Sequence, residues 1–187
     1  MIKLVCFAGF LVLAHEVLVA YACSCARSNT YNKYCESNAV LLVNPIEYID
    51  HGNNFRMSYT AEVLKVFKSK EPITGNTTTI NTAKYDSLCG MHLTLNQKTV
   101  ISAFNEGPDL WIDLCNSINM NYNSALENFG DDFDCNCRLR IGYPFDGRYD
   151  EKKLCPWIAY LRCRGGRTTC GLDDHGQCQW RCVSDSS

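Results

Sequence analysis

Apolar and polar residues alternate most cleanly between Phe55 and Phe67. Phe55, Met57, Tyr59, Ala61, Val63 and Phe67 fall on one face, with Arg56, Ser58, Thr60, Glu62 and Lys68 on the other. A two-residue period of this length predicts a half-buried strand. Lys65 on the apolar face, and Leu64 and Val66 on the polar one, fit a twisted strand partly covered on both sides. Before it, Ala39 to Val43 is an unbroken apolar run that reads as a buried strand stopped by Asn44-Pro45, and His51-Gly52-Asn53-Asn54 is a turn. After it, Lys68 to Gly75 is polar and broken by Pro72, and Thr77 to Tyr85 is β-branched and alternating, another strand. Thr99 to Phe104 and Leu110 to Leu114 supply two more, separated by Asn105-Glu106-Gly107-Pro108.

Two segments carry helical spacing instead. Arg27 to Glu36 can turn Tyr31, Tyr34 and Cys35 inward, and Ser124 to Phe129 reads as a short helix with Gly130 as its stop. Five short strands with marginal helices in roughly 110 residues predict a mainly β fold, a small closed or partly open barrel of the OB-fold kind, with a sandwich as the open alternative.

The first 22 residues belong to a different class. Lys3 precedes the apolar run Leu4 to Ala14, and Ala20-Tyr21-Ala22 puts small residues where a signal peptidase inspects them, just before Cys23. Residues 1–22 are therefore expected to be a secretory signal peptide. His15 and Glu16 interrupt the run, leaving it short of the roughly 20 apolar residues a spanning helix needs.

Of the 13 cysteines, only Cys6 lies in that leader, and the remaining 12 read as a disulfide framework of an exported chain. Cys135-Asn136-Cys137 is too tightly spaced for a zinc ribbon. A formal net charge of −2 carries no basic excess for nucleic acid, and the Arg162 to Arg167 cluster is small and broken by glycines. From Cys137 onward six cysteines lie among glycines and charges with little periodicity, a segment that needs bridges in place of apolar burial. The expected organisation is residues 1–22 as leader, 23–135 as barrel domain and 136–187 as a small disulfide-rich subdomain.

Taken together, the cysteines carry a recognisable order. Cys23-Ser24-Cys25 follows the cleavage site; Cys35, Ser87-Leu88-Cys89-Gly90, Ile112-Asp113-Leu114-Cys115 and Cys135-Asn136-Cys137 come after it, with Val66-Phe67-Lys68 and Cys178-Gln179-Trp180 as smaller matches. The set resembles the tissue inhibitors of metalloproteinases, closely from Cys23 to Cys137 and loosely beyond. The resemblance implies an OB-like netrin-type domain, a disulfide-knotted C-terminal subdomain and inhibition of secreted or membrane-bound zinc endopeptidases of the matrix metalloproteinase or adamalysin type. It implies a secreted monomer with no cofactor of its own.

The resemblance also implies pairings and roles. Cys23 would pair with Cys89, Cys25 with Cys115, Cys35 with Cys135, Cys137 with Cys178 and Cys155 with Cys170. Cys163 and Cys182 have no family counterpart, and a bridge between them is a further expectation, with other C-terminal connectivities open. The α-amine and carbonyl of Cys23 would chelate the target's catalytic zinc in place of its water. Ser24 would enter the specificity pocket, Cys25 and Ala26 would follow the primed side, and Ser87 to Gly90 the unprimed side. The chain departs from the family at Arg27, where proline is usual, and at Leu41-Leu42-Val43-Asn44, where a basic segment is usual.

Other candidate chemistry is thin. His51, His92 and His175 lack metal spacing and read as surface or turn residues, while Asp131-Asp132 and Asp173-Asp174 fit solvated turns better than calcium loops. Trp111 and Trp157 suit packing. Asn76-Thr77-Thr78 is a glycosylation sequon, placing Asn76 at an exposed loop edge. Two further function classes stay open: a netrin-like extracellular interaction module without inhibition, and a small secreted hydrolase, which lacks any readable Ser/His/Asp or Cys/His set.

Overall fold

The computed structural model describes residues 23–26, 28–52, 55–106, 109–129, 135–140, 151–156 and 166–184. The barrel strands are β1 (Ala39–Asp50), β2 (Arg56–Ser69), β3 (Thr77–Ala83), β4 (Thr99–Glu106) and β5 (Asp109–Trp111). They run in the order β1-β2-β3-β5-β4, and β4 returns to pair with β1, so the sheet closes into a five-stranded barrel. Only β3 and β5 are parallel within it, joined at Ile80 to Leu110 and Asn81 to Trp111. A two-residue strand, β6 (Asn119–Met120), adds to β4.

Closure accounts for the unbroken apolar run at Ala39 to Val43. Leu41 and Val43 point into the barrel beside Met57, Tyr59, Ala61, Ile80, Ile101 and Leu110. Val40 and Leu42 point outward beneath the helices, against Tyr34, Ile118, Ala125 and Phe129. A strand covered on both faces loses its alternation. The sandwich alternative gives way to the barrel for this reason: both edges of the sheet are consumed in pairing.

Several boundaries differ from the sequence reading. Asn44-Pro45 does not stop β1, which continues to Asp50. β1 pairs with β4 only from Ala39 to Val43, and its register with β2 shifts between Pro45 and Glu47, the edge and bulge setting in which a strand tolerates proline. β4 runs to Glu106, β3 ends at Ala83, and β5 ends at Trp111. Phe55, expected on the apolar face, precedes β2 and is 70% exposed. Cover on both sides of β2 does not reach Leu64 and Val66, which are exposed, while Lys65 sits 4.9 Å over the Phe67 ring on its own face.

Helix α1 (Thr30–Glu36) starts later than Arg27, because Asn29 caps it by accepting from the Asn32 N–H at 2.7 Å. Helix α2 (Tyr122–Asn128) follows its own cap, Asn121, and starts two residues ahead of the expected Ser124. Its expected stop, Gly130, lies outside the described residues. Neither helix is long and apolar enough to cross a membrane.

Two tyrosines of helix α1 pack against different clusters. Tyr34 packs on the barrel and Tyr31 on the C-terminal cysteines, where its hydroxyl donates to the Cys170 carbonyl at 2.6 Å. There β7 (Arg138–Arg140) pairs in parallel with β8 (Leu154–Pro156), and β9 (Gly166–Leu172) forms an antiparallel pair with β10 (Cys178–Ser184). The buried cluster here is Cys137, Cys155 and Cys170 with Leu139 and Tyr31, so sulfur fills much of the space aliphatic side chains would otherwise take.

Two side chains close the end of α1: Ser37, whose hydroxyl donates to the Tyr34 carbonyl at 2.7 Å, and Lys68. Lys68 Nζ donates to the carbonyls of Tyr34, Cys35 and Ser37 at 2.8, 2.7 and 2.9 Å, satisfying acceptors the helix leaves open. Lys68→Met keeps the aliphatic stem but strands the Cys35 and Ser37 carbonyls. Urea unfolding should show a loss of about 2 kcal/mol.

Candidate functional site

Cys23, Ser24, Cys25 and Ala26 form an irregular segment, with Ser24 to Ala26 exposed and Cys23 half-buried. Cys23 is bridged to Cys89 and Cys25 to Cys115, over sequence separations of 66 and 90 residues. Each bridge of that span is worth about 4 kcal/mol in chain entropy. Its local effect is to anchor both neighbours of Ser24 to separate loops of the barrel. Cys35 is joined to Cys135, Cys137 to Cys178 and Cys155 to Cys170. The expected partner of Cys182, Cys163, lies outside the described residues, as does Arg27.

The two receiving loops are held by local chemistry. Asp86–Leu88 forms a single 3-10 turn after Tyr85, and Cys89 ends it in the left-handed region at φ 62°. Gly90 follows, buried so closely that a Cβ there would lie 2.1 Å from the Ala83 carbonyl oxygen. Only glycine lets the segment return against β3. Ser87 and Leu88 are left exposed at the crest, and Asp86 accepts from or pairs with His92 Nε2 at 3.0 Å in solvent.

The second loop is organised by Asp113. Its Oδ1 accepts from the backbone N–H groups of Cys115 and Asn116, both at 2.7 Å, and its own N–H donates to Ser117 Oγ at 3.1 Å. From α1, Lys33 Nζ donates to the Ser117 carbonyl at 3.1 Å. Burial lowers the Lys33 pKa, and the Asp113 charge partly offsets it. Leu114 N–H donates to the Cys89 carbonyl at 2.9 Å, so the two loops are tied to each other as well as to the Cys23-Ser24-Cys25 segment.

A third support comes from the β1–β2 end. Lys84 Nζ reaches both Asp50 carboxylate oxygens at 2.9 and 2.7 Å, and Lys84 N–H donates to the Phe55 carbonyl at 2.8 Å. Phe55 and Tyr85 meet edge to face at 6.3 Å. The hairpin end thus braces the segment that carries Ser87 to Gly90. Sequence reasoning missed Lys33, Asp113 and the Asp50–Lys84 pair. The Asp113-x-Cys115-Asn116 spacing is an Asx-turn signal that could have exposed the second of these.

A family model described as "Tissue inhibitor of metalloproteinase" matches residues 21–180. The chain belongs to the tissue inhibitor of metalloproteinase family. The match spans the barrel and reaches Trp180 in β10, so it also takes in most of the C-terminal cysteines, where the motif resemblance was loose. Metalloproteinases are accordingly the partner class that goes with this family.

Two arrangements in the family member could be mistaken for other chemistry. The sulfurs of Cys23, Cys25, Cys89 and Cys115 all lie within 4.8 Å of one another, the crowding of a tetrathiolate metal centre. Bonded as two disulfides, they hold no thiolate to offer a metal. His51 Nε2 lies 2.7 Å from Ser58 Oγ, a contact not readable in the sequence. Ser58 is buried, and its hydroxyl donates to Asn81 Oδ1 at 2.6 Å. The hydroxyl proton is thereby committed away from the imidazole, which is the donor in the pair, and the serine is not activated.

The remaining candidates take structural places. Asp173 accepts from the N–H groups of His175 and Gln177 at 2.9 and 2.8 Å, closing the β9–β10 turn, and Asp174 is exposed. Trp111 is half-buried in β5, and Asn76 is exposed ahead of β3. Trp157, Asp131 and Asp132 lie outside the described residues.

Two outcomes test the supports. Gly90→Ala forces its Cβ onto the Ala83 carbonyl and should cost about 2 to 3 kcal/mol in a denaturant melt. The Asp50 carboxyl, stabilised as the anion first by Lys84 and then by the Gly52 N–H, should titrate below the ordinary aspartate range. Its contribution is complete above the ordinary value and is lost as pH falls through the lowered one. Carboxyl NMR on the parent and on Lys84→Met should show that midpoint rising in the variant.

Proposed function

We propose that the chain is a secreted inhibitor of zinc metalloendopeptidases that acts by chelation from a free N-terminus at Cys23. The observation carrying this reading is the exposed Ser24 held between two bridged cysteines, with the Ser87–Leu88 crest on the loop that Cys23 is bonded to. A terminal tripeptide without such bridges would fray. Ordered in advance, it loses little entropy on entering a cleft.

Catalytic zinc in such a target holds three protein ligands and an exchangeable water whose pKa it lowers. The α-amine and carbonyl oxygen of Cys23 form a five-membered chelate with the metal and displace that water. An α-amine has a pKa of about 7.7 to 8.0, so its deprotonation near neutral pH costs little, and coordination lowers it further. Ser24 enters the pocket beyond the scissile position, where its short side chain sets the depth of the plug. Cys25 and Ala26 continue along the primed side. Ser87, Leu88, Cys89 and Gly90 line the unprimed side. The metal belongs to the target, and the inhibitor supplies ligand atoms only.

Secretion follows from the leader and from the demand of these bridges for an oxidising compartment. Asn76, exposed ahead of β3, is available for an N-linked glycan away from the crest.

The 23–187 chain, titrated against matrix and adamalysin-type metalloproteinases, should inhibit at least one with a Ki on the order of nanomolar, as protease–inhibitor interfaces of standard size do. A form with one Ala ahead of Cys23 buries the amine in a peptide bond and should lose at least about 100-fold, roughly 2.8 kcal/mol. Equal potency of the two forms would remove chelation from the mechanism. Inactivity of both would turn the reading toward a matrix or receptor interaction module.

A further inference from the structure

The two bridges beside Ser24 are not independent in space. Cys115 Sγ lies 3.5 Å from Cys89 Sγ and 3.6 Å from Cys23 Sγ, and Cys23 Sγ lies 3.9 Å from Cys25 Sγ. Each sulfur of one disulfide is thus near contact distance from a sulfur of the other. Cys25 is exposed, whereas Cys23, Cys89 and Cys115 are half-buried, so a reductant in solution meets Cys25 first.

We propose that the paired bridges form a single redox-active site, in which reduction of Cys25–Cys115 is relayed to Cys23–Cys89 and ends with Cys89 joined to Cys115. The co-reactant is a dithiol. Its thiolate attacks Cys25 Sγ, forming a mixed disulfide and releasing Cys115 as a thiolate. The second thiol of the reductant then closes its own disulfide, and Cys25 leaves as a thiol bearing that proton. The freed Cys115 thiolate, which starts broadside to the Cys23–Cys89 bond at 3.6 and 3.5 Å from its two sulfurs, turns about its side-chain torsions into line behind Cys89 Sγ and attacks it, forming Cys89–Cys115. The electron pair of the broken bond departs on Cys23, which takes a proton from water. The dithiol has lost two electrons, the chain has lost one bridge, and both N-terminal cysteines are free.

The direction of the relay has a physical cause. The Cys89 and Cys115 loops are already held together by the Leu114 N–H to Cys89 carbonyl bond, so a bridge between them orders little that is not already ordered. Releasing Cys23 and Cys25 returns conformational freedom to a segment that, among the described residues, those two bridges tie down. The alternative product, Cys23–Cys115, would keep that segment fixed. One dithiol equivalent therefore disorders the whole Cys23-Ser24-Cys25 segment. Loss of inhibition as a consequence rests on the function proposed above; the exchange itself does not.

The test uses the chain purified from the medium of expressing cells, titrated with dithiothreitol until this pair begins to open, quenched in acid and alkylated. Peptide mapping of chains that have lost one of the two bridges should find label on Cys23 and Cys25 and a Cys89–Cys115 cross-link. Label on Cys25 and Cys115 with Cys23–Cys89 intact, or on Cys23 and Cys89 with Cys25–Cys115 intact, would overturn the relay. In Cys25→Ser/Cys115→Ser, which lacks the internal nucleophile, Cys23–Cys89 should need at least about tenfold more dithiothreitol to open. Opening at the parent's concentration would also overturn it. Because the map involves no protease, its outcome stands apart from the chelation experiment.

Discussion

Two disulfides that share one patch of space order the Cys23-Ser24-Cys25 segment. Among the described residues, the segment Cys23-Ser24-Cys25 makes no backbone hydrogen bond and carries no apolar side chain large enough to bury. Covalent attachment of both flanking residues is what orders it. The attachment has value only because Cys89 and Cys115 are themselves placed: one by a left-handed turn after Asp86–Leu88 and the close return of Gly90, the other by the Asp113 turn and Lys33. Disturbing either loop would move a bridge, and through it the segment carrying Ser24.

The barrel supplies the rigid frame for those loops. Closure of β4 onto β1 gives β1 a covered outer face, and that face receives α1 and α2. α1 then does two further things: Lys33 reaches the Cys115 loop, and Tyr31 reaches the C-terminal cysteines. One seven-residue helix, closed by Lys68, therefore contacts the barrel, the site and the sulfur-rich cluster together. Among the described residues of that last region the buried cluster is largely cystine, consistent with a segment too short and too polar to build an aliphatic core.

Much of this was legible in the residues. Period-two alternation in Met57, Tyr59 and Ala61, and the β-branched run at Thr77 to Thr79, mark strands whatever surrounds them, and both appear. Boundaries were less legible where tertiary contact decides them. Pro45 reads as a stop, and β1 passes through it because by that point it has left β4. Phe55 reads as core, and it is exposed because its position lies ahead of the strand, against Tyr85. Leu64 and Val66 interrupt the alternation without the cover their character suggested.

The sequence by itself determined that the fold is mainly β, the family and the order of the cysteines, because strand periodicity and residue spacing are properties of the chain written in one dimension; barrel over sandwich was decided by the closure of β4 onto β1. Only the tertiary structure decided which supports hold Cys23-Ser24-Cys25. Lys33 and Asp113, or Asp50 and Lys84, are tens of residues apart with no shared motif, and their contacts exist only once the barrel has closed. The same holds for the sulfurs. Four cysteines in two expected pairs say nothing of each other, until folding brings Cys115 to within 3.5 Å of Cys89 and makes two bridges into one site.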